Sequence, residues 1–370
     1  MIGHIITIAW KELLHLRKDR FLIPVFVIGG ILELSLIAWA TGQPIDNIPM
    51  AVVDLDQSPQ SEALIDALDA SDTLTHKQTV SSVDKVYDLM QRNDAVLGVV
   101  IPEGYGAAVT AGERPSVRLI SNGAEAVQAT EAERTAQDII FRQGMRDAYH
   151  MEPADYESEL PKVTVKYNED LKRGWYTLPA ESGFIFYIFT VILASLAISR
   201  ERERGTYEQL LVMPYRSIEV ILGKALAPML VGTSLFLAMM GLTVFAFGVP
   251  FRGSFILLLV IALLYLMAEM NKGVLMSIGS RTQLQAMLLV FVLAIVDMIF
   301  SGYAVAVDTM PPAIRTLSNF VPIRHWLIIV RGVMLKDVGL SVLWPHVAAI
   351  LAIGVVYATI TASQYRRHTD

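Results

Sequence analysis

The sequence predicts an α-helical integral membrane protein with six transmembrane helices and an inserted α/β domain. Of its 370 residues, 54% are apolar and only 18% are charged, which is typical of membrane proteins. Apolar runs of about 20 residues, the length of a bilayer-spanning helix, occur six times. Between the first and second runs, residues 42–177 form a mainly polar insert in which strand-like and helix-like stretches alternate.

The predicted elements follow one another along the chain. Residues 1–20 have apolar side chains at helical spacing and predict an amphipathic helix on the membrane surface. The predicted spans are residues 21–41, 178–199, 217–247, 254–272, 284–307 and 341–364. The other segments are a charged helix at 200–216, an external or re-entrant segment at 308–340, and a tail at 365–370. The first span is longer than the apolar part of a typical cleavable signal peptide, so we expect it to be retained.

Lys and Arg residues beside the spans predict that both termini are cytoplasmic. They cluster before the first span, after the second, between the fourth and fifth, and after the sixth, and six spans place these segments on one side. Residues 42–176 hold 23 acidic and 12 basic side chains and are predicted to face outward. Segment 308–340 does not follow this rule, because it is predicted to be external and yet holds four basic residues.

The insert predicts a small extracytoplasmic α/β domain. Strands are predicted at residues 49–55, 95–101, 116–120 and 162–167, and helices at 59–70, 83–92 and 124–149. Ser58 is placed to cap the first helix, with Pro59 at its first position. Since the chain has no Cys, disulfides, thiol catalysis and Cys-based metal sites are excluded.

The sequence predicts no catalytic or metal site in this chain. A phosphate-binding loop of the type Gly-x4-Gly-Lys-Ser/Thr is absent, and Gly223-Lys224 is a fragment that lacks the first Gly and the final hydroxyl residue. Metalloprotease, nucleophile-elbow and EF-hand motifs are absent as well. Energy for any work across the membrane must therefore come from a partner or from an ion gradient.

The charged segment carries a family resemblance. Residues 203–210, Glu-Arg-Gly-Thr-Tyr-Glu-Gln-Leu, followed by Met213-Pro214 and Gly223-Lys224, resemble the signature of ABC-2 type transporter permeases. In the insert, residues 53–58 and 98–105 resemble the external domain of bacterial drug-export members of that family. The resemblance covers nearly the whole chain and implies the ABC-2, or type V exporter-like, membrane fold.

Two stretches depart from the family pattern and bear on the external re-entrant region. Ala304–Val307 replaces a Pro that often follows Ser-Gly, and Arg324–Trp326 stands where a Tyr or Phe pair is more usual.

The resemblance implies a permease subunit of an ATP-driven exporter in the bacterial inner membrane. A separate cytoplasmic ABC ATPase would bind ATP and Mg²⁺, and a second permease chain, identical or sibling, would complete the pathway. A periplasmic adaptor protein and membrane lipids are further candidate partners, and nucleic acid is not. A hydrophobic or cationic drug-like substrate is implied, with a lipid or a glycan as the alternative.

The resemblance also makes residues 200–216 the coupling helix, which docks on the ATPase. Helical spacing places Glu201, Gly205 and Glu208 on one face, beside an apolar face. The docking residues so implied are Glu201, Glu203, Gly205, Thr206, Tyr207, Glu208, Leu211 and Pro214. By spacing alone, a solvated helix with internal Glu–Arg pairs, ended by Pro214, explains the same pattern.

Three acidic residues within apolar runs are candidate pathway residues. Glu33, Glu269 and Asp297 lie where an isolated charge costs several kcal/mol, so they could line a path for a cationic substrate. The alternatives are a position near a helix end, a local ion pair or protonation, and the nearby Lys272 favours a helix end for Glu269.

Two other functional classes stay open. A membrane-anchored receptor or scaffold would use the insert as a ligand-binding module and would have no ATPase partner. An ion-coupled secondary transporter would depend on a gradient and is often built from inverted repeats, of which the sequence shows no convincing example.

Overall fold

The computed structural model describes residues 2–19, 21–152, 155, 164–207, 217–303 and 305–369. The chain divides into a membrane unit, residues 1–42 and 165–370, and an insert unit, residues 43–164. The insert unit ends before the predicted boundary at 177, because Tyr167 and Glu169 contact the membrane unit. The Lys336 ammonium lies 6.0 Å from the Tyr167 ring centroid, and Arg252 Nη2 lies 3.7 Å from Glu169 Oε2.

The helices and strands of the described residues are numbered in chain order. They are α1 (Ile2–Lys18), α2 (Leu22–Gly42), β1 (Ile48–Asp54), α3 (Pro59–Asp69), β2 (Leu74–Thr79), α4 (Val83–Gln91), β3 (Leu97–Ile101), α5 (Tyr105–Thr110), β4 (Arg118–Ser121), α6 (Ala126–Tyr149), α7 (Arg173–Glu203), α8 (Ser217–Gly241), α9 (Phe255–Gly279), α10 (Gln283–Phe300), α11 (Pro312–Leu317), α12 (Pro322–Lys336) and α13 (Leu340–Thr369). A π-helical segment, Leu242–Ala246, extends α8.

The insert unit contains a four-stranded sheet in the order β2-β1-β3-β4. Strand β1 pairs in parallel with β2 and β3, and β3 pairs antiparallel with β4. Side chains of β1 alternate between two buried faces, as expected for a strand covered on both sides. Met50 and Val52 face the core shared with α3, α5 and α6, whereas Ala51 and Val53 face the core shared with α4.

The turn between β1 and α3 is built by the residues that carry part of the family resemblance. Asp54 Oδ1 accepts the amides of Asp56 and Gln57 at 3.0 Å each, and Asp56 Oδ2 accepts the Gly106 amide at 2.8 Å. Ser58 forms a capping box with Ser61, and Pro59 begins the helix, which confirms the predicted cap. The hydrogen bonds to Ser58 and to the Gly106 amide hold the pKa of Asp56 below its usual value. This motif therefore has a structural role in the turn.

The membrane unit has six helices long and apolar enough to cross a membrane among the residues that the structure describes. They are Leu22–Gly42, Arg173–Glu203, Leu222–Ala246, Phe255–Gly279, Gln283–Phe300 and Leu340–Gln364. Three of these helices are longer than predicted: α7 begins before residue 178 and continues beyond 199, α9 continues about two turns beyond Lys272, and α13 continues to Thr369, through most of the predicted tail. Residues 301–303 and 305–307, predicted to end the fifth span, lie outside α10.

Helix α7 is the central helix of this unit. In its most apolar 18-residue window 89% of the residues are buried, against 11% for α2 and for α13. It packs against α2, α8, α9, α10 and α12. Trp326 of α12 stacks on Tyr265 of α9 with ring centroids 5.2 Å apart and meets Phe186 of α7 edge-on at 5.4 Å. Gly183 permits this contact, because a Cβ there would collide with the Trp326 indole nitrogen.

The predicted external or re-entrant segment, 308–340, contains α11 and α12. Helix α12 is only 15 residues long, and its Trp326 and Val330 are buried in the hydrophobic core of the membrane unit. The Arg331 guanidinium lies 3.7 Å from the Tyr176 ring centroid, and its Nε donates to the Tyr176 carbonyl at 3.1 Å. This arginine is thus held by an aromatic ring and a backbone carbonyl.

Candidate ATPase-coupling segment and intramembrane ion cluster

The charged segment begins as the last turn of α7. Gly205 has a φ of 68°, its amide donates to the Arg202 carbonyl at 3.1 Å, and the Thr206 amide donates to the Glu201 carbonyl at 2.9 Å. This is the Schellman arrangement, in which a left-handed glycine ends a helix. Glu201 and Gly205 therefore do not lie on one continuous helix face. The predicted docking residues Glu208, Leu211 and Pro214 lie outside the described residues.

Glu201 is at the centre of an ion cluster that we call the α7-end cluster: Lys11, Glu12, Glu201 and Lys224. Lys224 Nζ lies 2.6 Å from Glu12 Oε1 and 3.2 Å from Glu201 Oε1, and it donates to the Ala197 carbonyl at 2.8 Å. All three of its N–H donors are thus satisfied. Lys11 Nζ adds a contact to Glu201 Oε1 at 3.1 Å. The cluster joins α1, α7 and α8.

Packing of α1 against α8 explains why this cluster is buried. Ile8 and Ala9 are buried, and a Cβ at Gly223 would lie 2.6 Å from Ile8 Cβ, so the two helices approach closely. Glu12, Glu201 and Lys224 are only 8%, 7% and 3% exposed. Buried charges are tolerated only when they are paired, as these are. The predicted surface helix is therefore anchored by one face to the membrane unit.

Other predicted docking residues are engaged within the chain. Glu203 Oε2 accepts the Gln283 amide at 2.7 Å, at the start of α10. The Thr206 hydroxyl donates to the Glu201 carboxylate. Tyr207 is half-buried, with the Arg202 guanidinium 4.9 Å from its ring centroid. Gly205 is exposed, and the space where a Cβ would be built is open. The turn at which the segment leaves α7 is therefore held in place by a contact with α10 and by a hydrogen bond back to Glu201.

A second cluster lies inside the membrane unit, and we call it the Lys272 cluster: Tyr187, Glu269, Lys272 and Asp297. Lys272 Nζ donates to Asp297 Oδ2 at 2.5 Å, and the Tyr187 hydroxyl donates to the same carboxylate. The Tyr187 ring centroid lies 4.9 Å from the ammonium. These contacts join α7, α9 and α10 and give Asp297 Oδ2 two hydrogen-bond donors.

Glu269 is held less completely than Asp297. Its Oε2 lies 2.6 Å from Lys272 Nζ, yet the angles are not those of a hydrogen bond, and neither carboxylate oxygen has another hydrogen-bond partner among the described residues. Glu269 is fully buried. Two of the three predicted pathway residues, Glu269 and Asp297, are therefore brought together around the chain's own lysine.

The third predicted pathway residue, Glu33, lies apart from these two. It is exposed on α2 and lies near Glu181 of α7, which is 3% exposed and accepts a hydrogen bond from the Tyr303 hydroxyl. Phe184 stacks on Tyr303 with ring centroids 5.8 Å apart. Within the described residues, no Lys or Arg nitrogen lies within 4.0 Å of either carboxylate.

The partners of these acids are not evident from the sequence. Its hydropathy places Lys272 at the end of a span, whereas α9 continues to Gly279 and keeps this lysine within the spanning helix. Its position three residues after Glu269 is the available signal, because residues three apart face each other on a helix. For Lys224, the sequence offers no signal that pairs it with Glu12. Tyr187, Glu181 and Tyr303 lie in apolar runs that resemble ordinary core.

The two ion clusters hold together the helices that they join. Among the described residues, no group of three or more His, Asp or Glu side chains could hold a metal ion. Glu201 of the α7-end cluster lies in the last turn of α7 and Tyr187 of the Lys272 cluster lies near its middle, and the charged segment continues from the exposed Gly205 beyond that last turn. A partner that contacts this segment would act directly on the central helix.

The comparisons with known proteins agree with this architecture. The sequence model of the ABC-2 family transporter proteins matches residues 21–363. The chain is 26% identical over 367 residues to the probable multidrug ABC transporter permease YbhR of Escherichia coli K12, and the match covers 99% of each chain. It is 25% identical over 374 residues to the inner membrane transport permease YhhJ of the same strain, covering 99% of this chain and 98% of that one.

A more distant relative comes from a eukaryote. ABC transporter G family member 23 of Dictyostelium discoideum is 20% identical over 343 residues, covering 92% of this chain and 49% of that protein. The six apolar helices, the co-linear motifs and a family match over nearly the whole chain lead to one assignment. The chain is a membrane permease of the ABC-2 family of ABC transporters.

Proposed function

We propose that this chain is the membrane-spanning subunit of an ATP-driven exporter in a bacterial inner membrane. The segment after Arg204 supports this proposal most strongly, because it follows the glycine-terminated end of the central helix α7 and its sequence resembles the family signature. Because the sequence has no phosphate-binding loop, a separate ABC ATPase would bind ATP and Mg²⁺. A second permease chain, identical or sibling, completes the pathway.

The packing of α7 supports a mechanical route for this energy. Arg204 lies about one helical turn from Glu201, so a force on residues 204–216 acts on the α7-end cluster. Helix α7 in turn contacts five other helices of the unit. Rigid helices joined by buried ion pairs move as one body, so a displacement at the end of α7 shifts the spans around it. In this proposal both termini and residues 204–216 face the cytoplasm.

The proposed substrate is a hydrophobic or cationic drug-like molecule. The name of the relative YbhR, a probable multidrug ABC transporter permease, supports this class, and a lipid or a glycan is the alternative. The Lys272 ammonium already pairs with Asp297 and contacts Glu269, so these two acids are not available to a cationic substrate in this conformation. Glu33 on α2 is the one candidate pathway residue that remains exposed.

The insert unit is proposed to be extracytoplasmic. The excess of acidic residues in 42–176 and the basic residues beside the opposite ends of the spans support this side. In that position the sheet and its helices would control release of substrate or meet a periplasmic adaptor protein. No disulfide is needed, since the sheet is buried on both faces.

Replacing Glu208 by Ala is expected to lower transport at least about tenfold, because a desolvated charge pair at a protein interface is worth more than about 1.4 kcal/mol. Export and ATP hydrolysis would be measured together in vesicles that contain the permease and its ATPase. The matched control is Glu62→Ala on α3, an exposed carboxylate of the insert unit, which should transport normally.

The outcomes separate the functional classes. Loss of export with normal membrane insertion supports docking of residues 204–216 on the ATPase. Normal export by Glu208→Ala contradicts the docking assignment. Export that stops when a protonophore collapses the ion gradient, and continues without ATP, would instead indicate a secondary transporter, and the absence of any export would favour a receptor or scaffold.

A further inference from the structure

A basic pocket of about 490 Å³ lies where α1, the start of α2 and the end of α7 meet. It is lined by His15, Lys18, Asp19, Phe21, Arg200 and Arg204. Its volume falls within the range of small-molecule sites. Lys18 and Arg204 are exposed, whereas Arg200 is only 7% exposed and its Nε donates to Gln283 Oε1 at 3.2 Å.

The charges of this pocket favour an anion. In the part of the chain that the structure describes, no carboxylate oxygen lies within 4.0 Å of a Lys18, Arg200 or Arg204 nitrogen. The one acid in the lining, Asp19, uses Oδ1 to accept the amides of Phe21 and Leu22 at 3.2 and 3.0 Å, which caps α2. Three cations and one acid leave an excess of positive charge.

The lowered pKa of His15 reflects burial and the same nearby positive charges. Burial lowers its pKa, and the charges of Lys11, Arg200 and Arg204 lower it further, against the opposing effect of Glu12. Its Nδ1 is buried and has no hydrogen-bond partner among the described residues. In the tautomer that carries the proton on Nδ1, the neutral imidazole can donate a hydrogen bond to an anion that the two guanidinium groups attract.

An apolar groove of about 500 Å³ continues from this pocket between α2, α7 and α10. The pocket and the groove share Asp19, Phe21 and Arg200, so they are contiguous. The groove is lined mostly by apolar residues, among them Leu22, Val25, Leu196, Leu284 and Met287, and also by Glu203, which accepts the Gln283 amide. Val25 and Leu284 are each 63% exposed, although both belong to spanning helices.

We propose that the pocket and groove together bind one anionic phospholipid of the adjacent membrane leaflet. Guanidinium groups form paired hydrogen bonds with phosphate oxygens, and basic clusters beside transmembrane helices attract anionic head groups. The apolar groove accepts an acyl chain, which a water-soluble anion or an acidic protein segment does not have. A lipid in this position bridges α1 to Arg204, the residue at which α7 ends. This binding does not depend on the proposed transport function.

The test titrates the purified full-length chain in dodecyl maltoside with three probes, followed by native mass spectrometry and thermal unfolding. The probes are palmitoyl-oleoyl phosphatidylglycerol, the phosphatidylcholine with the same acyl chains, and sn-glycerol 3-phosphate. We expect phosphatidylglycerol to bind and to raise the unfolding temperature, whereas the zwitterionic lipid and the free phosphate ester bind at least about tenfold more weakly.

The double variant Lys18→Ala/Arg204→Ala is expected to lower affinity for phosphatidylglycerol about 25-fold, or about fivefold for each side chain near the head group. Both side chains are exposed, so their removal should leave the fold intact. Arg281→Ala, which removes an exposed cation outside the pocket, is the matched control and should change affinity less than about twofold.

Four outcomes would overturn the proposal. The first is equal binding of phosphatidylglycerol to the wild type and the double variant. The second is an equal loss in Arg281→Ala, which would indicate non-specific attraction. The third is equally tight binding of glycerol 3-phosphate, which would indicate a site for free anions. The fourth is phosphatidylglycerol binding that an ATPase partner abolishes in the wild type, together with loss of ATPase docking in the double variant, which would assign the pocket to a protein contact.

Discussion

Replacing Lys272 by Met is expected to destabilise the membrane unit by about 3–5 kcal/mol, because removal of one partner of a buried ion pair leaves the other charge uncompensated. Asp297 is 7% exposed and Glu269 is fully buried, so neither can turn to water. Helix α10 depends on this contact, since its buried residues form only the narrow stripe Ala286, Val290, Ala294 and Asp297. The unfolding free energy in mixed micelles measures the loss.

A double-mutant cycle identifies the partner of Lys272. Asp297→Asn should couple strongly to Lys272→Met, because Asp297 receives hydrogen bonds from both Lys272 and Tyr187. Glu269→Gln is the matched control and should couple more weakly, because its contact with the ammonium lacks hydrogen-bond geometry. Stronger coupling to Glu269 than to Asp297 would contradict this description of the cluster.

Replacing Lys224 by Met is expected to cost a similar 3–5 kcal/mol and to release α1 from α8. The change leaves Glu12 and Glu201 buried without their shared cation. Lys11→Met is the matched control: the Lys11 side chain is 48% exposed, so its contact with Glu201 should contribute less than about 1 kcal/mol.

Thiol labelling can locate the effect of Lys224→Met, because the chain has no Cys of its own. A cysteine at Ala9, which is 3% exposed, should be protected in the wild type and should react in Lys224→Met. A cysteine at Ile6, which is 57% exposed, should react in both. Continued protection of the Ala9 position would show that the cluster does not anchor α1.

The sequence is sufficient to predict the structural features that depend on a local pattern of residues. Length and hydropathy locate all six spans, and Ser58 with Pro59 locates the start of α3, because a cap is decided by adjacent residues. Strand β2 is not predicted from the sequence, because its residues LTHKQT include few apolar side chains and only Leu74 is buried. Residues 164–167 form no strand, although 162–167 alternates, and residues 162 and 163 lie outside the described range.

The ion clusters could not be predicted because they join residues that are distant in sequence. A lysine in an apolar run is interpreted as the end of a helix unless its acid is known, and Asp297 lies 25 residues from Lys272. The same limit applies to Lys224 and Glu12, which are 212 residues apart. The face assigned to Glu201 and Gly205 assumes an unbroken helix, whereas Gly205 ends α7 because it adopts a positive φ.

We propose that a separate ATPase powers this permease, and purification of the affinity-tagged chain from its native membrane is the decisive experiment. We expect an ABC ATPase to co-purify in stoichiometric amount, and we expect the complex, in proteoliposomes, to transport substrate only when ATP is hydrolysed. Transport by the purified chain without any ATPase, driven by an ion gradient alone, would contradict it.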